Sequence, residues 1–266
     1  MDTVLSRCRW DPVAQHLIDK LNLVFAPLMN PGGMLLNTRA NPNGVDLMRN
    51  APIMAEQKPP VFLGGQRFSK RLPWYCGQLD EDMELENQIL VNIVERCYSH
   101  SPFTLSIDCH SGFGFRDRIW FPYAYRKRPM AAIDKLYALK GLLDSTYPNH
   151  HYAFEPQALS YTAHGDLWDY LYKRHKHFFL GQQAISGQAE MNSLFIPLTL
   201  EMGSWNWIKK RPLQLFSATG LFNPIVPHRH SRVLRRHIML FDFLCSATVG
   251  HQQWLPTKDK QAEISA

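Results

Sequence analysis

The sequence predicts an α/β layered fold, in which strands alternate along the chain with helices. Three short apolar stretches indicate buried strands, namely LNLVFAPL at 21–28, FTLSID at 103–108 and FIPLTLEMGS at 195–204. Stretches with helical periodicity separate them, and this alternation is typical of a layered α/β domain. With 266 residues and 45% hydrophobic content, the chain can bury one sizeable core.

The helices are indicated by their periodicity and by signals at their ends. The predicted helices span 12–21, 80–99, 130–146, 165–178 and 233–250. The second begins with the acidic run DEDMELE, which the positive end of the helix dipole favours. The last ends at a glycine, which is a common C-terminal cap.

Residues 29–79 form the least regular part of the predicted fold. They are rich in Pro, Gly and Asn, and MNPGG at 29–33 indicates a turn. Because aromatic residues such as Phe62 and Trp74 occur within this segment, we expect long ordered loops, and such loops in compact domains are usually functional. For the whole chain we predict one domain over 1–254, followed by a polar tail over 255–266.

The chain is basic, with a net charge of +6 and a pI of about 9.1. The local concentrations of charge are YRKRP at 125–129, KRHKH at 173–177 and HRHSRVLRRH at 228–237. None of them interleaves with a nucleic-acid-binding motif, so we expect a solvated basic face and neither nucleic acid nor a membrane as partner. The pairs His175 with His177 and His228 with His230 are expected at the surface, because neighbouring Arg and Lys repel a metal cation.

The cysteine pattern and the absence of targeting signals predict a soluble, cytoplasmic protein. Five cysteines without CxxC spacing indicate reduced thiols. There is no signal peptide and no run of about 18 apolar residues. The chain has no Gly-x-Ser-x-Gly motif, which argues against a serine hydrolase. Cys109 and His110 are neighbours on a predicted strand and so point to opposite faces, which disfavours a Cys–His pair.

Polar residues stand where the second and third predicted strands end, which is where open α/β sheets bind ligands. The second strand ends in Asp108, Cys109, His110 and Ser111, and Glu201 lies at the end of the third. A single buried His is more often a hydrogen-bonded core residue than a ligand. An ionised carboxylate in an apolar strand costs several kcal/mol unless it is paired, so both a structural and a catalytic reading of Glu201 stay open.

Four motifs together resemble one known family. In chain order they are TRANPNGVDLMRN at 38–50, SIDCHSG at 106–112, SYTAHGDLWDY at 160–170 and LTLEMGS at 198–204. They occur in the order found in the zinc carboxypeptidases, the carboxypeptidase A-like metallopeptidases, and the resemblance covers about residues 10 to 245. It implies a mixed central β-sheet flanked by helices, with the N-terminal strands of that fold missing.

The resemblance also implies roles for the two arginines of the first motif. Arg39 matches the arginine that polarises the scissile carbonyl, and Arg49 matches the arginine that binds the substrate's free C-terminal carboxylate. A guanidinium holds a carboxylate through two parallel hydrogen bonds, and a cation near the carbonyl stabilises the developing oxyanion. The family usually has Asn before the second arginine, whereas this chain has Met48, so Asn50 or a backbone N–H is expected to act as a substitute donor.

The other motifs imply a zinc-dependent active site. By resemblance, His110 is a zinc ligand, Glu201 is the general base and Tyr161 is the mobile tyrosine that caps the substrate. Trp168 falls where the family's side-chain pocket is lined. Catalytic zinc activates a water molecule and polarises a carbonyl.

One part of the family's zinc site has no clear match in the sequence. The family takes two further ligands from a His-x-x-Glu pair upstream of the first Asn-Pro turn, but only 29 residues precede Asn30. The sole candidate runs from His16 to Asp19 and ends in the wrong residue. We therefore expect that the chain starts just after the real motif and that it is inactive alone.

The sequence thus predicts a zinc-dependent hydrolase that releases C-terminal residues from peptides. The expected substrate is a peptide or small amide with a free carboxylate. Two alternatives remain: a non-catalytic relative that binds carboxylates or peptides, and a deacylase of small N-acyl amino acids. The retained Glu201 favours catalysis, because a binding module has no need of a buried base.

Overall fold

The computed structural model describes residues 1–186, 193–216, 220 and 222–256. The helices are α1 Asp2–Arg7, α2 Pro12–Ile18, α3 Pro31–Leu36, α4 Leu85–Ser99, α5 Ile133–Thr146, α6 Leu167–Ser186, α7 Trp205–Lys210, α8 Pro227–Val249 and α9 His251–Trp254. The strands are β1 Phe103–Ser111, β2 Arg118–Phe121, β3 Ala153–Pro156 and β4 Leu194–Met202. Within these ranges, every helix is too short or too polar to cross a lipid bilayer.

The four strands form one mixed sheet in the order β1-β4-β2-β3. Strands β1 and β4 are parallel, β2 and β3 are parallel, and β2 runs antiparallel to β4. The α/β prediction with a mixed sheet is therefore confirmed. The β1–β4 register places His110 opposite Glu201, so two polar residues that lie far apart in sequence become neighbours.

The chain divides into two compact units. The sheet unit comprises residues 28–130 and 152–224, and its core includes the fully buried β4 residues Phe195 and Ile196. The helical unit comprises residues 1–27, 131–151 and the chain from 225 onward. In the helical unit, Arg7 of α1 pairs with Asp242 of α8 at 2.7 Å. The single domain predicted over 1–254 stays a prediction, and the predicted tail lies outside the described residues after position 256.

Helices α4 and α8 begin several residues away from their predicted starts. Helix α4 begins at Leu85, not at 80, because tertiary bonds hold Glu84 in an extended conformation. The backbone N–H of Glu84 donates to Asn50 Oδ1 at 2.7 Å, and its carboxylate accepts from Asn41 and Asn43. Helix α8 begins six residues before its predicted start, at Pro227, a residue that suits the first position of a helix.

Two predictions for the N-terminal third were wrong. Residues 21–28 form no strand, since no segment within the described ranges pairs with them and Val24 is 52% exposed. The segment MNPGG does not form a turn. Asn30 caps α3 by accepting from the Gly33 N–H at 2.8 Å, and Pro31 begins that helix. The short strands β2 and β3 escaped prediction because four residues carry little periodicity.

The histidine pairs lie partly where expected. His177, His228 and His230 are exposed, which confirms their prediction as surface residues. His175 was predicted wrongly, because it is only 8% exposed. Its ring packs edge-on against Tyr98, with the ring centroids 4.9 Å apart. Burial lowers the pKa of His175 to about 4.

Candidate active site

A cavity of about 100 Å³ lies where the carboxyl ends of β1 and β4 meet. Five of the predicted site residues line it, namely Arg39, Arg49, His110, Tyr161 and Glu201. They come from separate parts of the sheet unit, so the fold brings together residues up to about 160 positions apart. The other two predicted site residues, Asn50 and Trp168, do not line the cavity.

Arg49 is a buried cation whose described hydrogen-bond partners are neutral oxygens. It lies in a 3₁₀ helix, Leu47–Arg49, and is 3% exposed. The guanidinium donates to the carbonyls of Met48 at 3.0 Å and Leu63 at 3.4 Å, and to the Tyr161 hydroxyl at 3.3 Å. Within the described residues, its buried Nε–H has no partner. Burial lowers the pKa of Arg49, but Tyr161, Asp46 and Asp166 outweigh that effect and raise it. A buried guanidinium with a spare donor is suited to an anionic ligand.

Arg39 reaches the cavity from the preceding loop and is anchored by Asp46. Arg39 Nε donates to Asp46 Oδ2 at 2.8 Å, and the Met48 N–H donates to Asp46 Oδ1 at 3.1 Å. Asp46 is 2% exposed. Burial raises the pKa of Asp46, but the charges of Arg39 and Arg49 outweigh it and hold that pKa below its usual range. Asp46 therefore orients Arg39 and places a negative charge near Arg49.

Glu201 supplies a buried carboxyl group to the cavity. It is 5% exposed, and its Oε1 accepts from the Phe113 N–H at 3.0 Å. Burial raises the pKa of Glu201 to about 7, against the lowering effects of His110, the Phe113 N–H and two arginines. A carboxyl group that titrates near neutral pH can both accept and return a proton under physiological conditions.

Tyr161 belongs to an aromatic wall of the cavity. Its ring lies edge-on to Trp120, with centroids 5.9 Å apart, and is tilted against Phe113 at 5.8 Å. The Arg49 guanidinium carbon is 5.8 Å from the Tyr161 ring centroid. The tyrosine hydroxyl is therefore held over the guanidinium that is predicted to bind the ligand carboxylate.

His110 is the predicted metal ligand, and its ring is tied to Asp108. The His110 Nε2 lies 2.7 Å from Asp108 Oδ2. Burial lowers the pKa of His110, but the charge and hydrogen bond of Asp108 outweigh it and raise the pKa. Residues two apart on a strand share a face. The sequence therefore contained a signal for Asp108, although sequence reasoning assigned it no role.

The residues that surround the cavity do not complete a zinc site. Catalytic zinc takes three protein ligands, and the described part of the chain holds no cluster of three or more His, Cys, Asp or Glu that could bind a metal ion. His16 and Asp19 belong to the helical unit. His110 alone does not fit a zinc ion, so none of the chemical steps proposed below passes through a metal.

Asn50 does not serve as the predicted carboxylate donor in this geometry. It is 9% exposed, and its amide is occupied by structural bonds. Its Nδ2 donates to the Cys76 carbonyl at 3.1 Å, and its Oδ1 accepts from the backbone of Glu84 and the side chain of Asn87. The position beside Arg49 in the cavity wall is held by Met48 instead.

Trp168 is likewise displaced from its predicted place in a side-chain pocket. It is 7% exposed, lies in the first turn of α6 and is not among the residues that line the cavity. Its indole N–H donates to Asp108 Oδ2 at 2.9 Å. Trp120 and Phe113, which sequence reasoning overlooked, line the cavity instead. Their signal was weak, because short apolar runs do not reveal which residue faces a ligand.

Gly165 joins the Arg49 loop to the segment that carries Tyr161. It has φ of +67°, and it exchanges backbone bonds with Ala51 at 3.0 Å and Ile53 at 2.8 Å. A Cβ at this position would lie 1.7 Å from the Arg49 carbonyl oxygen. No L side chain fits there without movement of the backbone that positions the guanidinium.

We expect Gly165→Ala to lower the free energy of unfolding by about 2 kcal/mol, because the left-handed conformation and the backbone clash both oppose a side chain. Urea unfolding measures the change. The matched control is Gly141→Ala in α5, where a Cβ meets nothing within 4 Å. It should stabilise by about 0.5–1 kcal/mol. A Gly165→Ala protein as stable as the parent would contradict the described loop.

Comparisons with known proteins identify the family of the chain and a similar fold. The first 196 residues match the family described as zinc carboxypeptidase, peptidase M14. Thrombin-activatable fibrinolysis inhibitor has a similar structure, with a TM-score of 0.60 and 18% identity over 93% of this chain and 56% of that one. The chain thus spans little more than half of that neighbour's length, and the likeness shows the fold alone.

A second structure is more distant, and no curated protein matches the sequence. The second structure is bovine thrombin-activatable fibrinolysis inhibitor in complex with tick carboxypeptidase inhibitor. It has a TM-score of 0.38 and 20% identity over 59% of this chain and 45% of that one. The family match covers well over half of the sequence and includes three of the four motifs whose residues surround the cavity. On these grounds the chain belongs to the zinc carboxypeptidase family, whose members depend in general on zinc.

Proposed function

We propose that the cavity recognises the free carboxylate of a peptide-like substrate for carboxypeptidase-type hydrolysis, which releases a C-terminal residue. The observation that carries the proposal is Arg49, a buried guanidinium in a cavity wall that has a spare donor and only neutral hydrogen-bond partners among the described residues. A carboxylate placed there would gain charge-assisted hydrogen bonds that water cannot match in a buried site.

The neighbouring residues support the hydrolytic part of the proposal. Arg39 lines the same cavity and supplies a second cation, which would stabilise negative charge that develops on a carbonyl oxygen. Glu201 has a carboxyl group with a pKa of about 7, and it would accept a proton from the attacking water and return it to the leaving nitrogen. The Tyr161 hydroxyl, 3.3 Å from Arg49, would close over the bound carboxylate.

A second candidate is carboxylate binding without catalysis. It is favoured by the incomplete zinc site, since His110 is the sole predicted metal ligand at the cavity among the described residues. The two candidates are separated by incubating the protein with zinc and an N-acyl dipeptide. If the parent releases the C-terminal amino acid and Glu201→Gln does not, hydrolysis is supported. Binding without release, unaffected by a chelator, supports recognition alone. Preferential cleavage of N-acetyl amino acids would indicate a deacylase.

Carboxylate recognition itself is tested by calorimetric titration with N-acetyl-L-phenylalanine and with its carboxamide. The two ligands have the same shape, but only the first carries the charge that Arg49 would bind. We expect the acid to bind and the carboxamide to bind at least about 10-fold more weakly, because the loss of one charge-assisted bond costs about 1.5–3 kcal/mol. Equal affinities would overturn the proposal.

Met48 marks the place where this chain departs from its family. Met48 lines the cavity next to Arg49, at the position where the family usually has an asparagine donor. We expect Met48→Asn to tighten binding of N-acetyl-L-phenylalanine about 5-fold, since one added hydrogen bond is worth about 1 kcal/mol. Titration of Met48→Leu, which keeps the apolar shape, provides the control and should match the parent. Unchanged affinity in Met48→Asn would show that the ligand carboxylate lies elsewhere.

A further inference from the structure

We infer that Trp168 is a positioning residue, whose indole N–H holds Asp108 so that Asp108 fixes the ring of His110 with Nδ1 towards the cavity. The inference concerns the geometry of three side chains. It holds whether the cavity is catalytic or only binds ligands, so its failure is distinct from failure of the proposed function.

Two donors converge on a single carboxylate oxygen. Trp168 Nε1 lies 2.9 Å from Asp108 Oδ2, and His110 Nε2 lies 2.7 Å from the same oxygen. An indole N–H can only donate, so the Asp108 oxygen must act as the acceptor of that bond. The bond between His110 and Asp108 occupies one ring nitrogen of the histidine, and Nδ1 is the nitrogen left for a partner in the cavity.

The arrangement joins two elements of the fold. Asp108 and His110 share one face near the carboxyl end of β1, whereas Trp168 comes from the first turn of α6. An aspartate two residues from a histidine on the same strand can turn about its own side-chain bonds. A second donor from a different element removes that freedom. The indole is 7% exposed, so water competes little for the shared oxygen.

This role differs from that of a pocket wall. A wall residue contributes the face of its ring, whereas Trp168 lies outside the cavity lining and contributes its N–H. The two roles are separated by Trp168→Phe, which keeps an aromatic ring but removes the N–H donor together with one ring of the indole. A matched control is Trp120→Phe. Trp120 is also buried, and its Phe variant loses the same ring volume, but its N–H donates to Glu155 Oε1 at 3.2 Å instead of to Asp108.

The readout is the ring Nε2–H proton of His110 in the NMR spectrum of the full chain labelled with ¹⁵N-histidine. A ring proton that is hydrogen-bonded to a buried carboxylate gives a downfield resonance and exchanges slowly with water. The chain has 12 histidines, and the resonance of His110 is identified as the one that is missing from the spectrum of His110→Gln. We expect Trp168→Phe to lose this resonance to fast exchange and Trp120→Phe to retain it. Retention in Trp168→Phe with the parent's exchange rate would overturn the inference.

A second measurement decides the matter if Trp168→Phe does not fold. In Asp108→Ala, the indole proton of Trp168 loses its acceptor, so its resonance should move upfield and exchange faster. The indole proton of Trp120 should stay unchanged in the same spectrum. If the indole resonance of Trp168 keeps its chemical shift and exchange rate in Asp108→Ala, the bond between Trp168 and Asp108 is absent in solution. That result would also overturn the inference.

Discussion

Replacement of Arg49 by alanine is expected to weaken binding of N-acetyl-L-phenylalanine about 100-fold. The guanidinium is 3% exposed in the cavity, so a ligand carboxylate there would exchange water for charge-assisted bonds in a poorly solvated site. Loss of two such bonds corresponds to about 3 kcal/mol. Isothermal titration calorimetry measures the effect directly. Arg49→Lys keeps the charge without the planar fork and should fall between the parent and alanine, about 10-fold weaker.

The matched control is Arg174→Ala. Arg174 lies on the exposed surface of α6, where it contacts Glu95 and donates to the Tyr170 hydroxyl at 3.0 Å. This variant has the same change in charge and should bind the ligand as the parent does. If Arg49→Ala and Arg49→Lys both fold and keep the parent's affinity, the carboxylate-binding role of Arg49 is wrong. An equal loss in Arg174→Ala would point to a long-range charge effect instead.

The second large effect is a loss of stability in acid, caused by His175. Burial lowers the folded-state pKa of His175 to about 4, below the ordinary value of 6.5. The folded protein therefore binds this proton more weakly than the unfolded chain does. The stability that neutral His175 contributes is fully present above pH 6.5 and is lost as the pH falls towards 4. Linkage gives a loss of about 3 kcal/mol over that range.

Urea unfolding of His175→Phe against the parent isolates this contribution, since other titrating groups cancel in the difference. Phenylalanine keeps ring packing against Tyr98 and Phe195. It lacks the bond to the backbone of Ser193, which costs about 1 kcal/mol at pH 7.5. Between pH 6.5 and 4, the variant should lose about 3 kcal/mol less than the parent. His177→Phe, at an exposed position on the same helix, should keep the parent's pH dependence. If His175→Phe keeps it as well, His175 is not buried as described.

Much of the site could be anticipated from the sequence, but by resemblance more than by local physics. Four motifs in order singled out Arg39, Arg49, His110, Tyr161 and Glu201, and the fold brings all five to one cavity. Without the resemblance, physical reasoning identified only the polar residues at strand ends. It did not decide whether Glu201 is structural or catalytic. Its burial and its pKa of about 7 are properties of the surroundings that β1, β2 and the Phe113 loop create around it.

The errors share one physical cause. A local sequence pattern does not show which distant residues will pair with it, bond to it or cover it. Residues 21–28 have the composition of a strand, but none of the residues that the structure describes forms a ladder with them. Asn50 carries a suitable amide, yet Glu84, Asn87 and Cys76 occupy it. His175 stands in a basic stretch, but the helical periodicity of α6 turns it onto the buried face while His177 points outward.

The α/β class, most helices and the chemical groups available to the site could be predicted from the sequence, because composition, periodicity and end signals are local properties. Which of those groups meet depends on tertiary packing. The β1–β4 register places His110 opposite Glu201. The Trp168 N–H donates to Asp108, so Trp168 does not line a side-chain pocket. The physical reason is that burial, hydrogen-bond partners and pKa values depend on residues distant in sequence, whose proximity is set by the packing of the whole sheet unit.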